Sequence, residues 1–245
     1  QVAGGLLVQV EEVQSHEALF PADYAYFSSY SSSWLEHARV FVDTAADRLG
    51  LGHDCLVLEV ASNDGYLLQY VAGKGIPCLG IEPTAGTAAV ARDRGIETIE
   101  AFFGRTLAGE LVAKRGRADL IVANNVLAHV PDLNDFIAGL AIALAPEGTL
   151  SIEFPHLQRL VAERQFDTVY HEHFSYFSLY TVRKALAMHD LRIWNVEPLT
   201  THGGSLRVWA AHNGSTFMQQ PSVDATLDGE RAAGMLAMNY YSGFQ

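Results

Sequence analysis

Cysteine is scarce. The 245 residues hold only Cys55 and Cys78, and both lie in apolar runs that read as buried strands. A disulfide framework and a cysteine-based zinc site are therefore excluded within these residues. Basic charge is scarce too, with 16 Lys and Arg against 28 Asp and Glu and a formal charge of −12. No cluster of Lys and Arg stands out, which argues against a duplex nucleic-acid partner and an anionic membrane surface. No apolar run reaches the ~18 residues a membrane helix needs. A basic start followed by an apolar stretch and a small-residue cleavage site is also missing, so no signal peptide is read and the expected location is cytoplasmic. What the chain does have is apolar material, 49% hydrophobic against 18% charged residues. That is enough to bury a core. The chain starts at Gln1 rather than Met and stops at Gln245 inside an aromatic, helix-like run, which reads as a fragment of a longer protein cut at both ends.

Strand and helix patterns alternate from residue 54. CLVLEVA (55–61), PCLGIEP (77–83), ETIEAFF (97–103), ADLIVANNVL (118–127) and GTLSIEF (148–154) read as strands. GYLLQYVAGKG (65–75), AGTAAVARDRG (85–95), TLAGELVAKRG (106–116) and LNDFIAGLAIAL (133–144) read as the helices between them. The alternation predicts an α/β fold with a doubly wound, mostly parallel sheet and ligands at the carboxyl ends of its strands. Residues 155–178 break the rhythm. They are too long for a tight connection and rich in His, Tyr and acid. LYTVRKALAMHD (179–190) then reads as a helix. LRIWNVEPL (191–199) and GGSLRVWAAH (203–212) read as a sixth and seventh strand paired antiparallel, making seven strands with an antiparallel last one. The expected division is a remnant and connector over 1–22, a helical lid segment over 23–49, a core over 50–212 with 155–178 as an insertion, and the start of a truncated further domain over 213–245. In the lid segment Trp34, Leu35, Ala38, Val42 and Ala45 keep helical spacing, but Tyr24, Tyr26, Phe27 and Tyr30 sit among serines ahead of them.

The first strand runs into Glu59-Val60-Ala61-Ser62-Asn63-Asp64-Gly65 and then a helix. A turn of small residues there brings backbone N–H groups and a helix start close to a ligand. A dinucleotide would need G-x-G-x-x-G. In that register the positions are Ala61, Asn63 and Tyr66, so the pattern fails at every glycine. The other ligand class is S-adenosylmethionine, which has no phosphate and wants an acid in the first strand with a less strict turn. Here the sequence resembles the class I S-adenosylmethionine methyltransferases, whose motif is an acid followed by small residues at alternate positions. Glu59, Ala61, Asn63 and Gly65 fit it loosely, with Asn63 tolerating positive φ in place of glycine. Glu82, followed by Pro83, ends the second strand, where a carboxylate can accept both ribose hydroxyls. Phe102 and Phe103 follow the third strand, where a ring can stack on adenine. Asn124 and Asn125 end the fourth strand at the central crevice, and two amides there are hard to explain as core. All of these, with Tyr66, are expected to bind the cofactor.

Ten histidines occur in the chain, and His129, His156, His171 and His173 fall at or just after the ends of the fourth and fifth strands. That crevice is where a substrate would meet a cofactor methyl. The run Tyr170-His171-Glu172-His173-Phe174 suggests two chemistries. A zinc site is one, but histidines two apart share one face of a strand with Glu172 opposite, and on a helix they splay. Neither is a good three-ligand set, so no metal is expected here. Proton abstraction is the other, since a histidine tuned by a neighbouring carboxylate or phenol is a base at neutral pH.

FDTVYHEHFSYFSL (166–179), THGGSLRVW (201–209) and DYAYFSSYSSSWLEHA (23–38) together resemble the nucleotide-sugar C-methyltransferases of deoxysugar pathways, over about residues 20–212. The resemblance implies an N-terminal four-cysteine zinc domain upstream, with residues 1–10 its last strand, and a second α/β domain downstream. It implies His173 as general base, Tyr170 and Glu172 positioning and tuning it, His129 facing the substrate, and Tyr24 reaching over the site from the lid, with Tyr26 as the neighbouring choice. The implied partner is a nucleotide-linked keto-sugar. The reaction it implies is proton removal beside the ketone, then methyl transfer to the enolate, with His129 the candidate donor to the oxygen. Two other readings remain. One is O- or N-methylation of a small molecule, and the other is a non-catalytic binding module on a degenerate cofactor fold.

Overall fold

A computed structural model describes residues 7–10 and 26–244. Its strands are β1 Val8–Gln9, β2 Val57–Val60, β3 Cys78–Ile81, β4 Thr98–Ile99, β5 Ala118–Asn124, β6 Leu144–Pro155, β7 Ser175–Tyr176, β8 Leu191–Leu199 and β9 Ser205–His212. The helices are α1 Ser32–Leu49, α2 Leu68–Gly73, α3 Ala85–Asp93, α4 Arg105–Arg115, α5 Leu133–Ala143, α6 Leu157–Glu163, α7 Leu179–Ala187 and α8 Pro221–Ala232. The main sheet has seven strands in the order β4-β3-β2-β5-β6-β9-β8. All run parallel except β9, which is antiparallel to both β6 and β8. The antiparallel strand is last in the chain but lies one place inside the sheet. The short connection from β8 turns it back into the slot beside β6.

All four residues of β2 are buried, and β5 is apolar almost throughout, as strands covered on both faces must be. The chain leaves β2 toward β4 and then returns to place β5 on the other side of β2. The carboxyl ends of β2 and β5 therefore diverge and open a crevice.

Three differences from the sequence reading bear on the site. The third strand is only Thr98–Ile99, so Phe102 and Phe103 fall in the loop before α4. The fifth begins at Leu144, directly after α5, rather than at 148. Helix α1 is a core helix and not itself a lid. Ala38, Phe41, Val42 and Ala45 are buried in one cluster with Val57, Leu120 and Trp209. It is capped by the Ser31 hydroxyl, which accepts from the Trp34 N–H, and ends at Gly50 with φ 62°. The residues ahead of it, Tyr26 and Ser28, and Trp34 of its first turn line the crevice.

The insertion over 155–178 is folded: it carries α6, a 3-10 turn at Phe166–Thr168, and β7. β7 pairs antiparallel with β1, Val8 opposite Tyr176 and Gln9 opposite Ser175. The segment expected to close an upstream domain is thus joined to the insertion of this one. Beyond β9, helix α8 sends the buried Glu230 carboxylate onto the backbone N–H groups of Leu179 and Tyr180 at the start of α7, at 2.6 and 3.0 Å.

Candidate active site

The turn after β2 keeps its tight path with few glycines. Ala61, Asn63 and Gly65 all have positive φ, at 58°, 49° and 76°. A Cβ on Gly65 would meet Ile96 at 3.2 Å and Ala91 at 3.4 Å, so helix packing also favours glycine there. Asn63 tolerates the left-handed region because its side chain is bonded. Its Oδ1 accepts from the Ser28 N–H at 2.9 Å, and its Nδ2 donates to the Tyr26 carbonyl at 3.0 Å. The neighbouring Asp64 is fully buried and accepts from the Ser29 hydroxyl and from Arg94 Nη1 at 3.2 Å. Two consecutive residues of the turn thus hold the aromatic-serine segment over the crevice.

Carboxylates gather beneath that turn. Glu82 accepts from the Asn63 N–H and the Thr84 N–H, both at 2.9 Å. Glu59 lies wholly buried below. Burial first, and then the charges of Glu82 and Asp64, push its carboxyl well above the usual carboxylate range. The Tyr66 hydroxyl hydrogen-bonds with it and pulls the other way. Glu59 and Gly65 therefore shape the floor and do not face the opening, whereas Ala61, Asn63, Tyr66, Glu82 and Pro83 line it.

The crevice has a volume of about 850 Å³, within the range of small-molecule sites. Phe102, 42% exposed, and Phe103 form one wall. Phe103 is anchored edge-to-face on Phe136 at 5.6 Å. Asn124 and Asn125 line the opposite side, the latter at φ 53°. Asn124 Oδ1, both polar atoms of the Asn125 amide and Glu59 Oε2 are buried without a hydrogen-bond partner. Unpaired buried polar atoms are costly, and those of Asn124 and Asn125, which line the crevice, are atoms that a polar ligand would satisfy.

The other end of the crevice holds imidazoles. His173 donates from Nδ1 to the Thr168 carbonyl at 2.8 Å. That leaves Nε2 as the acceptor, and the Tyr170 hydroxyl lies 3.1 Å from it. Burial lowers the pKa of His173, opposed by the Thr168 bond and by the Glu172 charge. His129 packs against His173 with ring centroids 4.8 Å apart and the planes tilted by 59°, and it donates from Nδ1 to the Glu172 carbonyl at 2.9 Å. Burial, helped by His173, takes its pKa down to about 4. His129 is thus a neutral ring whose proton is already committed. This corrects the expectation that it donates to a substrate oxygen, although it does face the crevice. Glu172 works on His173 by charge and on His129 through its backbone.

The four-histidine convergence is only half realised. His156 is buried with Nε2 2.8 Å from Glu230 Oε1, away from the crevice, and His171 points outward. Tyr24 lies outside the described residues, while Tyr26 lines the opening. Four residues without a role in the sequence reading take part. Trp34, assigned to helix spacing, packs on Tyr66 at 6.0 Å and edge-on to His202 at 5.2 Å. Thr168 sets the His173 tautomer, Asp64 holds the aromatic-serine segment, and His202 lines the crevice. His202 sits in the THGGSLRVW segment, so only the residue type and that context signalled it.

Comparison with known proteins agrees with this geometry. A methyltransferase domain model matches residues 34–196, and a C-methyltransferase C-terminal domain model matches residues 200–245. The chain is 36% identical to the C-methyltransferase NovU of Streptomyces niveus over 238 residues, 97% of this chain and 56% of that protein. It is 26% identical to the ubiquinone biosynthesis O-methyltransferase of Rhodopseudomonas palustris (strain TIE-1) over 153 residues, 54% of this chain and 60% of that one. The chain therefore spans little more than half the length of these curated relatives. Among solved structures, magnesium protoporphyrin IX methyltransferase from Synechocystis PCC 6803 superposes with TM-score 0.57 at 14% identity, over 83% of this chain and 100% of that one. The PH0226 protein from Pyrococcus horikoshii OT3 gives 0.58 at 14% identity, over 82% and 99%. The sheet order, the turn after β2 and the matched residues agree: the chain belongs to the methyltransferase-domain family, on the class I S-adenosylmethionine-dependent fold.

Proposed function

We propose that the protein is a C-methyltransferase that uses S-adenosylmethionine to methylate the carbon beside a ketone of a nucleotide-linked deoxysugar. The observation that carries this reading is His173, whose Nδ1 is tied to Thr168 so that Nε2 faces the crevice as a base. A carbon acid needs a positioned base before it can accept a methyl group, and a neutral imidazole of lowered pKa is one at pH 7. The 36% identity to a C-methyltransferase and the match over residues 200–245 support the same class.

The residues fit the cofactor. Glu82 offers a carboxylate for ribose hydroxyls, Phe102 and Phe103 an apolar wall for adenine, and the unpaired Asn124 and Asn125 amides partners for polar groups. When bound, the cofactor supplies an electrophilic methyl on a sulfonium. This chain's residues do the rest. His173 Nε2 takes the proton from the carbon next to the ketone, and the bonding pair moves to the carbonyl oxygen. Tyr170 holds Nε2 in place before substrate arrives. The aromatic-serine segment, fastened by Asn63 and Asp64, keeps water off the reacting carbon.

The test is deuterium wash-in. The protein is loaded with S-adenosylhomocysteine and incubated in D₂O with a thymidine diphosphate-linked 4-keto-6-deoxysugar, and substrate mass is followed. Uptake above the enzyme-free rate, abolished by His173→Asn, is the expected result. No uptake with cofactor binding confirmed would reject this substrate and chemistry. Hydroxyl acceptors would then be screened, as the similarity to ubiquinone biosynthesis O-methyltransferases directs.

A further inference from the structure

Among the described residues three imidazoles line the crevice: His129, His173 and His202. Two have their single neutral-state proton committed to a backbone carbonyl, His129 to Glu172 and His173 to Thr168. Among the described residues no hydrogen bond engages the His202 ring, which sits edge-on to Trp34 at 5.2 Å. A neutral imidazole always carries one N–H, so His202 is the crevice imidazole whose proton is available to a ligand.

The backbone under His202 is unusually constrained. His202, Gly203 and Gly204 have φ of 50°, 73° and 113° in succession. The turn is fastened on every side. Thr201 Oγ1 donates to Glu153 at 3.1 Å, Gln165 Nε2 to the Gly203 carbonyl at 2.7 Å, and the His156 N–H to the Gly204 carbonyl at 3.0 Å. A Cβ on Gly204 would lie 2.9 Å from Arg159 Cγ. A left-handed non-glycine residue persists when its surroundings over-determine it, and such residues gather at active sites. Gln165 directly precedes the 3-10 turn whose Thr168 fixes His173. The two imidazoles are therefore mounted on one interlocked support.

We infer that His202 is a catalytic hydrogen-bond donor to the substrate ketone oxygen, stabilising the enolate that forms when His173 removes the neighbouring proton. This rests on the C-methylation reading. In that step the C–H bond breaks, an N–H bond forms at His173 Nε2, and the electron pair moves onto the oxygen. His202 donates a hydrogen bond and transfers no proton. Its ordinary pKa is lowered, burial being the main cause, which keeps it neutral and its proton in place as a donor.

The test compares deuterium wash-in for His202→Gly and His202→Asn, with cofactor affinity and Tm measured alongside. Glycine accepts the left-handed backbone and removes the donor; asparagine tolerates that backbone and restores an N–H. His202→Gly is expected to slow wash-in by about 10²–10³-fold with unchanged cofactor affinity and Tm, and His202→Asn to recover at least about tenfold of it. Wash-in for His202→Gly within about threefold of the unsubstituted protein, or a loss confined to KM, overturns the proposal while leaving C-methylation intact. No wash-in by the unsubstituted protein overturns both.

Discussion

The Tyr170 hydroxyl lies 3.1 Å from Nε2 of His173, the nitrogen left bare because Nδ1 is bonded to Thr168. Phenol, imidazole and carbonyl form a line that sets both the tautomer and the direction of the base. The phenol must swing aside, or pass its hydrogen bond to the substrate, when Nε2 takes up a proton.

His173→Asn should therefore cut wash-in and turnover by ~10²–10⁴-fold, the usual contribution of one acid–base group. Calorimetric affinity for S-adenosylhomocysteine should not change. Turnover equal to the unsubstituted protein would remove His173 from its role. Tyr170→Phe should cost less, since it leaves Nδ1 anchored.

The wash-in rate should depend on pH with one acid limb. The folded pKa of His173 is lowered from 6.5, so the base is neutral at pH 7 and the rate falls only as the pH drops below that value. A limb centred above pH 7 would contradict the burial seen here.

Thermal stability should fall on the same side. His129 has a folded pKa of about 4 against 6.5 unfolded, so folding favours its neutral form. That contribution is complete above pH 6.5 and is lost as the pH falls toward 4. A Tm profile should show the loss, and His129→Gln should flatten it; an unchanged slope in that variant would rule His129 out as its source.

Asn63→Gly separates turn strain from the aromatic-serine segment. Glycine suits the φ of 49°, but the bonds to Ser28 and Tyr26 disappear. Faster hydrogen exchange at 26–31 and weaker cofactor affinity are expected, each bond being worth about 0.5–1.5 kcal/mol. Exchange no faster than before would show that Asp64 and Arg94 hold the segment alone.

Glu230→Ala tests the claim that His156 is structural. It strips the buried acceptor from Leu179, Tyr180 and His156 and should destabilise the fold by about 3 kcal/mol or more. Cofactor affinity measured well below the lowered Tm should stay the same, because none of these groups lines the crevice.

The sequence by itself determined the architecture. Buried strands alternate with amphipathic helices, and that period leaves little choice but a doubly wound sheet, so the ends of β2, β3 and β5 were legible as ligand-facing. The Tyr170–His173 pair was legible because it is local: the partners are three residues apart, and one turn brings them together. Tertiary structure alone decided what depends on groups from distant segments. His156 and His202 are the same residue type, yet one meets Glu230 from α8 and the other enters the crevice on the β8–β9 turn. The raised pKa of Glu59 comes from its burial in β2 and from the Glu82 and Asp64 carboxylates that β3 and the following turn bring beside it. The proton positions on His129 and His173 follow from two backbone carbonyls, Glu172 and Thr168, whose placement no side-chain pattern records. Periodicity encodes which face of an element is buried; it does not encode which atom of another element will be there to meet it.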